Sequence, residues 1–287
     1  MVSYVDLGAT LVGIIKTGNS AIVIDTGISS DHAKKIAKAA GCVVKTVLLT
    51  HLHADHAGGA SFFAEQGADV YISKYEASFL YHHELNTALL YGGATPQIYR
   101  RPFFLSKSVN VQAFEPDVSL NIDGVEIRPI STAGHSIGHT SFLAGKTLFA
   151  GDALTSPNVM AKHKLIYNYC PRRALAALER IKDTDFTDVV ICHKGEADKK
   201  TAVEYAELQK AHILSVYDDI SEAVREKPAD IEGITRFVCE KRGLLLSQDS
   251  YILALSNIKG YLADMEEKGE LAARFVDGKI ISERSMQ

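Results

Sequence analysis

The stretch "TVLLTHLHADHAGG", Thr46 to Gly59, places three histidines and an aspartate within six residues directly behind an apolar run. His51, His53, Asp55 and His56 offer nitrogen and oxygen donors of the kind that bind borderline divalent metals. A lone histidine at a polar position is ordinarily solvated or satisfied inside the core. Here the spacing H-x-H-x-D-H follows Thr46 to Leu49, which reads as a short buried strand. Several side chains therefore leave one strand end and the turn behind it, where they can converge. Gly58 and Gly59 then permit a close backbone approach.

Working outward, three more apolar runs end the same way. "VEIRPISTAGH" puts His135 behind Val125 to Ile130, "KTLFAGD" closes on Asp152, and "DVVICHKGE" closes on His193. Four apolar strands that each end in a potential ligand are what an open α/β sheet needs to assemble a site at one edge. Six nitrogen or oxygen donors plus a bridging carboxylate exceed what one tetrahedral zinc takes, so the donor set argues for two ions.

The remaining pattern supplies the layers around those strands. Thr10 to Lys16 and Ser20 to Ile24 predict a hairpin about Thr17-Gly18-Asn19, and Ser29 or Ser30 caps a helix through Ala40. A helix over Ala60 to Gly67, a strand over Asp69 to Ser73, a helix over Pro171 to Ile181 and a strand over Asp188 to Cys192 make an α/β layered core. The aromatic-rich segment from Lys74 to Asn110 is too long for an idle connector and is expected to cap the site. Helical periodicity takes over near Lys200. "SNIKGYLADMEEKGEL" and a hairpin turning at Asp277-Gly278 suggest a winged-helix-like module from roughly Pro228. The expected organisation is a catalytic domain over 1–205, with 74–110 as its cap segment, and a C-terminal helical module over 206–287.

Composition narrows the function classes. The chain has 287 residues, 31 Lys and Arg against 35 Asp and Glu, and a formal net charge of -4, so no whole-chain field draws it to nucleic acid or anionic lipid. From Pro228 onward eight Lys and Arg face ten Asp and Glu, which gives the C-terminal module no basic footprint for phosphates and favours packing or homodimerisation. No run of apolar residues is long enough to span a bilayer, and no signal-peptide pattern opens the sequence. Cys42, Cys170, Cys192 and Cys239 are scattered without a C-x-x-C pair, which reads as free thiols in a reducing cytoplasm.

Taken together, His51, His53, Asp55 and His56, with the early "VIDTG" strand end at Asp25, resemble the metallo-β-lactamase-fold superfamily over roughly residues 8 to 198. The resemblance implies a four-layer αββα sandwich. It also implies a first metal site of His51, His53 and His135, a second of Asp55, His56 and His193, and Asp152 bridging them. His139, in "GHSIGHT", is implied to support the ligands rather than to be one. Tyr167 and Tyr169 fall where a loop lining the active site is expected.

By the same resemblance, hydroxide held between two divalent ions attacks a carbonyl, and Asp55 orients it. Asp152, where the true β-lactamases of the family carry cysteine, points away from antibiotic hydrolysis and towards the glyoxalase II-like and lactonase-like branch. The expected activity is dinuclear metal-dependent hydrolysis of an ester, thioester or lactone with an apolar acyl portion. Zinc is the expected metal, and iron and manganese are compatible with the donors. Three alternatives stay open: a phosphodiesterase or ribonuclease with the same ions, a mononuclear iron persulfide dioxygenase, and a metal-stabilised binding protein without turnover.

Overall fold

The hairpin about Thr17-Gly18-Asn19 forms as β2 (Leu11–Thr17) and β3 (Ser20–Ile24), with β1 (Val2–Asp6) added antiparallel outside β2. The computed structural model describes residues 2–285 except Ala9, Lys194 and Glu226. Ser29 caps α1 (Ser30–Ala40) by accepting from the His32 N–H, and β4 (Val43–Leu48) then joins β3 in parallel. The histidine motif winds into a short α2 (Ala54–Ala57), followed by α3 (Ala60–Glu65) and β5 (Asp69–Ser73). The cap segment holds α4 (Ala77–Tyr81), α5 (Glu84–Tyr91) and a 3-10 turn at Gln97–Tyr99 before β6 (Gln112–Phe114) completes a six-stranded sheet in the order β1-β2-β3-β4-β5-β6.

The second sheet is built from β7 (Leu120–Ile122), β8 (Val125–Ser131), β9 (Thr140–Ala144), β10 (Thr147–Gly151), β11 (Asp188–Ile191) and β12 (Gly195–Asp198). Its order is β12-β11-β10-β9-β8-β7. Two helices, α6 (Pro157–His163) and α7 (Pro171–Asp183), lie between β10 and β11.

Why these strands read as apolar runs rather than as alternation is answered by their burial on both faces. Ile22 and Ile24 of β3 meet Phe142 of β9 and Phe149 of β10 in the core between the sheets. Ala21 and Val23 face the other way, into a cluster with Ile36 of α1 and Phe63 of α3. On the second sheet Leu148 and Val189 point outward to Leu178 of α7. The order is helix, sheet, sheet, helix, as expected.

Beyond β12 the chain forms α8 (Lys199–Ala223), β13 (Ala229–Asp230), α9 (Ile231–Lys241), α10 (Gln248–Glu267), β14 (Leu271–Val276) and β15 (Lys279–Arg284). β13 pairs with β15, which pairs with β14, giving the helix, strand, helix, helix, hairpin order of a winged helix. Elements not read from the periodicity include β1, β6, β7, α6, β12 and the two-residue β13. Residues 205 and 206, where a domain boundary was expected, both lie inside α8. One apolar cluster runs without a break from Leu148 and Leu178 through Ile213 and Val216 of α8 to Ile258 and Tyr261 of α10. The C-terminal helices are thus packed onto the sandwich as its outer layer.

Candidate metal centre

Five strands of the two sheets deliver polar residues to one rim: β3 ends before Asp25, β4 before the histidine motif, β8 before His135, and β10 and β11 before Asp152 and His193. Backbone bonds lock the loops across the sheets, with Thr140 N–H donating to the Thr50 carbonyl at 2.9 Å and Leu11 N–H to the Cys192 carbonyl at 2.7 Å. Residues far apart in the chain therefore meet.

His51 Nε2 and His135 Nε2 each lie 3.0 Å from His53 Nδ1. Ring nitrogens sharing one tetrahedral ion at zinc–nitrogen distances stand roughly 3.3 Å apart, close to what is seen. The far nitrogens show which tautomer is present. His135 Nδ1 donates to the Tyr167 carbonyl at 3.0 Å, and a carbonyl only accepts, so Nε2 carries a lone pair. Thr50 Oγ1 donates to the Asp25 carboxylate and so accepts from His51 Nδ1 at 3.0 Å. Burial holds His51 well below its ordinary pKa, takes His53 to about 3, and lowers His135. Neutral imidazole is the form that binds metal.

The second group surrounds Asp152. Its Oδ1 lies 3.1 Å from His193 Nε2 and 3.3 Å from His56 Nε2, and its Oδ2 lies 3.5 Å from His135 Nε2. Oδ1 is nevertheless buried without a hydrogen bond, an orphaned acceptor among converging nitrogens, which fits a cation between them. Asp55 Oδ2 is 3.6 Å from His193 Nε2 and 3.8 Å from His56 Nε2. His56 Nδ1 donates to Asp25 Oδ2 at 2.8 Å, the carboxylate–histidine pairing that orients metal ligands. Against its burial, His193 and His56 keep the Asp152 carboxyl well below its usual range, while the Asp152 charge raises His193 to about 9. The donor set fits divalent ions.

Six of the seven expected ligands thus fall into two groups, His51 with His53 and His135, and His56 with Asp152 and His193; Asp55 lies 3.6 to 3.8 Å from the second, and Asp152 reaches from it to His135 at 3.5 Å. His139 stands apart: its Nδ1 bonds Thr132 Oγ1 at 2.8 Å and its Nε2 accepts the Asp152 N–H at 3.0 Å, so both nitrogens are used in holding the β10 end. Gly151 there has φ +55, and a Cβ on it would come within 2.6 Å of that Nε2.

The two tyrosines separate. Tyr167 lines the cavity over the site and its ring sits against His53 and His135 at 5.8 Å. Tyr169 does not line it, which corrects the expectation that both do, because two residues along an extended loop its N–H donates to the His135 carbonyl and its own carbonyl packs under Gly260 of α10. Cys192 was missed: its Sγ lies 3.8 Å from both ring nitrogens of His56, and it groups with His56, Asp152 and His193. Its place directly before His193 was the available signal. Glu76 was also missed. It is fully buried, accepts from Ser136 Oγ at 2.5 Å and from Gly138 N–H at 2.8 Å, and so braces the loop between His135 and His139.

The cavity holds about 510 Å³. His53, Asp55, His135, Asp152 and His193 form its floor. Its walls are Leu90 and Phe104 of the cap, Leu165 and Ile166 behind α6, and Leu253 of α10, with Lys162 and His163 also on the lining. Among the described residues no helix is long and apolar enough to cross a membrane, and all four cysteines are unpaired thiols.

The family profile described as "Metallo-beta-lactamase superfamily" matches residues 5–193. The chain belongs to that superfamily. The hydroxyacylglutathione hydrolase of Xylella fastidiosa (strain 9a5c) is 28% identical over 183 residues, 62% of this chain and 57% of the relative. That of Pseudomonas putida (strain W619) is 24% identical over 204 residues, 69% of this chain and 66% of the relative. The chain thus spans a little over half the length of the first of these relatives. Among solved structures, a metallo-beta-lactamase family protein from Thermus thermophilus superposes with a TM-score of 0.74 at 20% identity, covering 99% of this chain and 98% of that one. A beta-lactamase domain protein from Burkholderia ambifaria gives 0.71 at 19% identity, covering 99% and 90%. Both superpositions take in the C-terminal helices of this superfamily member as well as the sandwich, and at such identities they speak to fold alone.

Proposed function

We propose that this protein is a dinuclear metal-dependent hydrolase of an ester, thioester or lactone with an apolar acyl portion. The observation that carries it is Asp152, whose carboxylate reaches His56 through one oxygen, His135 through the other and His193 through both, at the floor of a largely apolar cavity. His51, His53 and His135 would hold one ion, Asp55, His56 and His193 the other, and Asp152 both. Divalent ions there supply an activated water and an electrophile for the substrate oxygen, and zinc suits the donors.

The chain's own residues do the rest. Asp55, at the cavity floor and only 3.6 Å from His193, is placed to accept a proton from the attacking water. Leu90, Phe104 and Leu253 exclude water and take up the acyl portion. The curated relatives are named hydroxyacylglutathione hydrolase, and an acyl group carried on the glutathione thiol is a thioester, which supports the thioester within this class.

The test is elemental analysis of undialysed protein together with hydrolysis of acyl thioesters, p-nitrophenyl esters, lactones and bis(p-nitrophenyl) phosphate, alongside His51→Ala and Asp152→Ala. Close to two equivalents of metal and turnover of a carbonyl substrate that both variants abolish are expected. Turnover of the phosphodiester alone, oxygen uptake with an iron-loaded protein and a persulfide, or no metal uptake would overturn the assignment.

A further inference from the structure

Two buried side-chain amides lie outside the histidine groups and grip the loops that carry them. Gln209 of α8, 1% exposed, accepts the Thr155 N–H through Oε1 at 2.7 Å and donates through Nε2 to the Ala153 carbonyl at 3.2 Å. Asn257 of α10, also 1% exposed, accepts the Asn168 N–H at 3.1 Å and donates to the Ile166 carbonyl at 2.9 Å. Each amide pairs with the backbone on both sides of one residue, as a neighbouring strand would: Leu154 for Gln209, Tyr167 for Asn257.

Each gripped loop leads directly to a residue of the metal centre. Ala153 follows Asp152 in the chain. Tyr167 supplies the carbonyl that accepts from His135 Nδ1. A neutral amide donates from one atom and accepts at another a fixed distance away, so an aliphatic or an acid in its place would leave a buried backbone group unpaired or facing a like oxygen, although the Ile166 carbonyl also accepts from Asn168 Nδ2 at 3.3 Å. Holding the helices in place does not require it. Ile213, Val216 and Ile220 of α8, and Ile258, Tyr261 and Leu262 of α10, already anchor them in the apolar cluster, where another aliphatic would be cheaper to bury than an amide.

We propose that Gln209 and Asn257 are positioning residues through which the C-terminal helices set Asp152 and His135, respectively, for metal binding. The inference rests on the metal-binding assignment made above. It gives α8 a task beyond packing on the sandwich and α10 one beyond walling the cavity: the geometry of the metal centre depends on both.

The experiment is a cobalt(II) titration of the metal-free, full-length protein, followed by visible absorption, for the wild type, Gln209→Glu and Asn257→Asp. Both variants keep the acceptor and turn the donor into an oxygen facing a carbonyl. Ile213→Val and Ile258→Val, on the same helices but away from the loops, report what loss of stability alone does. Gln209→Met and Asn257→Leu replace either acidic variant that fails to fold. The expected result is cobalt affinity weakened on the order of tenfold, with altered band intensity, in each clamp variant and not in the valine controls. Wild-type affinity and spectrum in the clamp variants, or losses that merely track melting temperature as in the controls, would overturn it. A wild type that takes up no cobalt defeats the metal assignment itself and this inference with it, whereas normal uptake with unaffected variants defeats only the clamps.

Discussion

Asp25 Oδ2 accepts a hydrogen bond from His56 Nδ1 at 2.8 Å, with both side chains buried. The same carboxylate takes the Thr50 N–H at 2.8 Å and the Thr50 hydroxyl, so one residue at the end of β3 sets the tautomer of His56 and, through Thr50, the orientation of His51. Asp25 has φ +67, a left-handed conformation that aspartate and asparagine tolerate better than most residues. Asp25→Asn should therefore keep the backbone and lose the charge. The expected outcome is metal affinity lowered on the order of 10- to 100-fold with an unchanged far-ultraviolet circular dichroism spectrum, measured by competition with a chromophoric chelator.

Glu76 makes stability depend on pH in the metal-free protein. Burial raises its carboxyl from 4.5 to about 7, against the hydrogen bonds from Ser136 and Gly138. Below pH 4.5 the group is protonated in both folded and unfolded chains. As pH rises from there to about 7 the unfolded chain ionises first and the folded state loses ground, by on the order of 3 kcal/mol once both are ionised. Glu76→Gln has no such titration. Its melting temperature relative to wild type should climb across this window and level off above it; a difference that is flat or falls with pH contradicts the reading.

Leu253 tests the acyl wall. It lines the cavity from α10 beside a small apolar cluster of Leu90, Tyr99, Phe104 and Ile252. In the wild type kcat/KM should rise about fourfold for each acyl methylene that reaches this wall, following roughly 0.8 kcal/mol per buried methylene. Leu253→Asp should flatten that dependence while leaving acetyl substrates nearly unchanged. Equal losses for acetyl and octanoyl substrates would place the acyl chain elsewhere.

Removing metal should cost stability, because cations bound at the rim would tie together loops from both sheets. At free metal about 100-fold above the dissociation constant the gain is about 2.7 kcal/mol, or several degrees in melting temperature for a chain of this size. Differential scanning calorimetry with and without chelator should show this shift in the wild type and little of it in His51→Ala.

How far these features can be read from sequence follows from where their causes lie. The hairpin at Gly18, the Ser29 cap, the strand ends before His51, Asp152 and His193, and the turn at Asp277-Gly278 are governed by residues within a few positions of one another. α6 and β12 are short, and their formation depends on packing against α8 and pairing with β11 rather than on periodicity. Tyr167 and Tyr169 look alike in the chain; only the docking of α10 beneath the loop sends one to the cavity and the other away from it.

By itself, then, the sequence determined the layered core and the residue types gathered at its rim, because apolar strands ending in histidine or aspartate are written in consecutive positions. Tertiary structure alone decided what surrounds and holds that rim: Glu76 under the His135 loop, Cys192 beside His56, and Gln209 and Asn257 on loops 54 to 91 residues away. Such contacts follow from how helices settle on a sheet, and a polar residue facing a buried backbone group carries the same letter as one facing water.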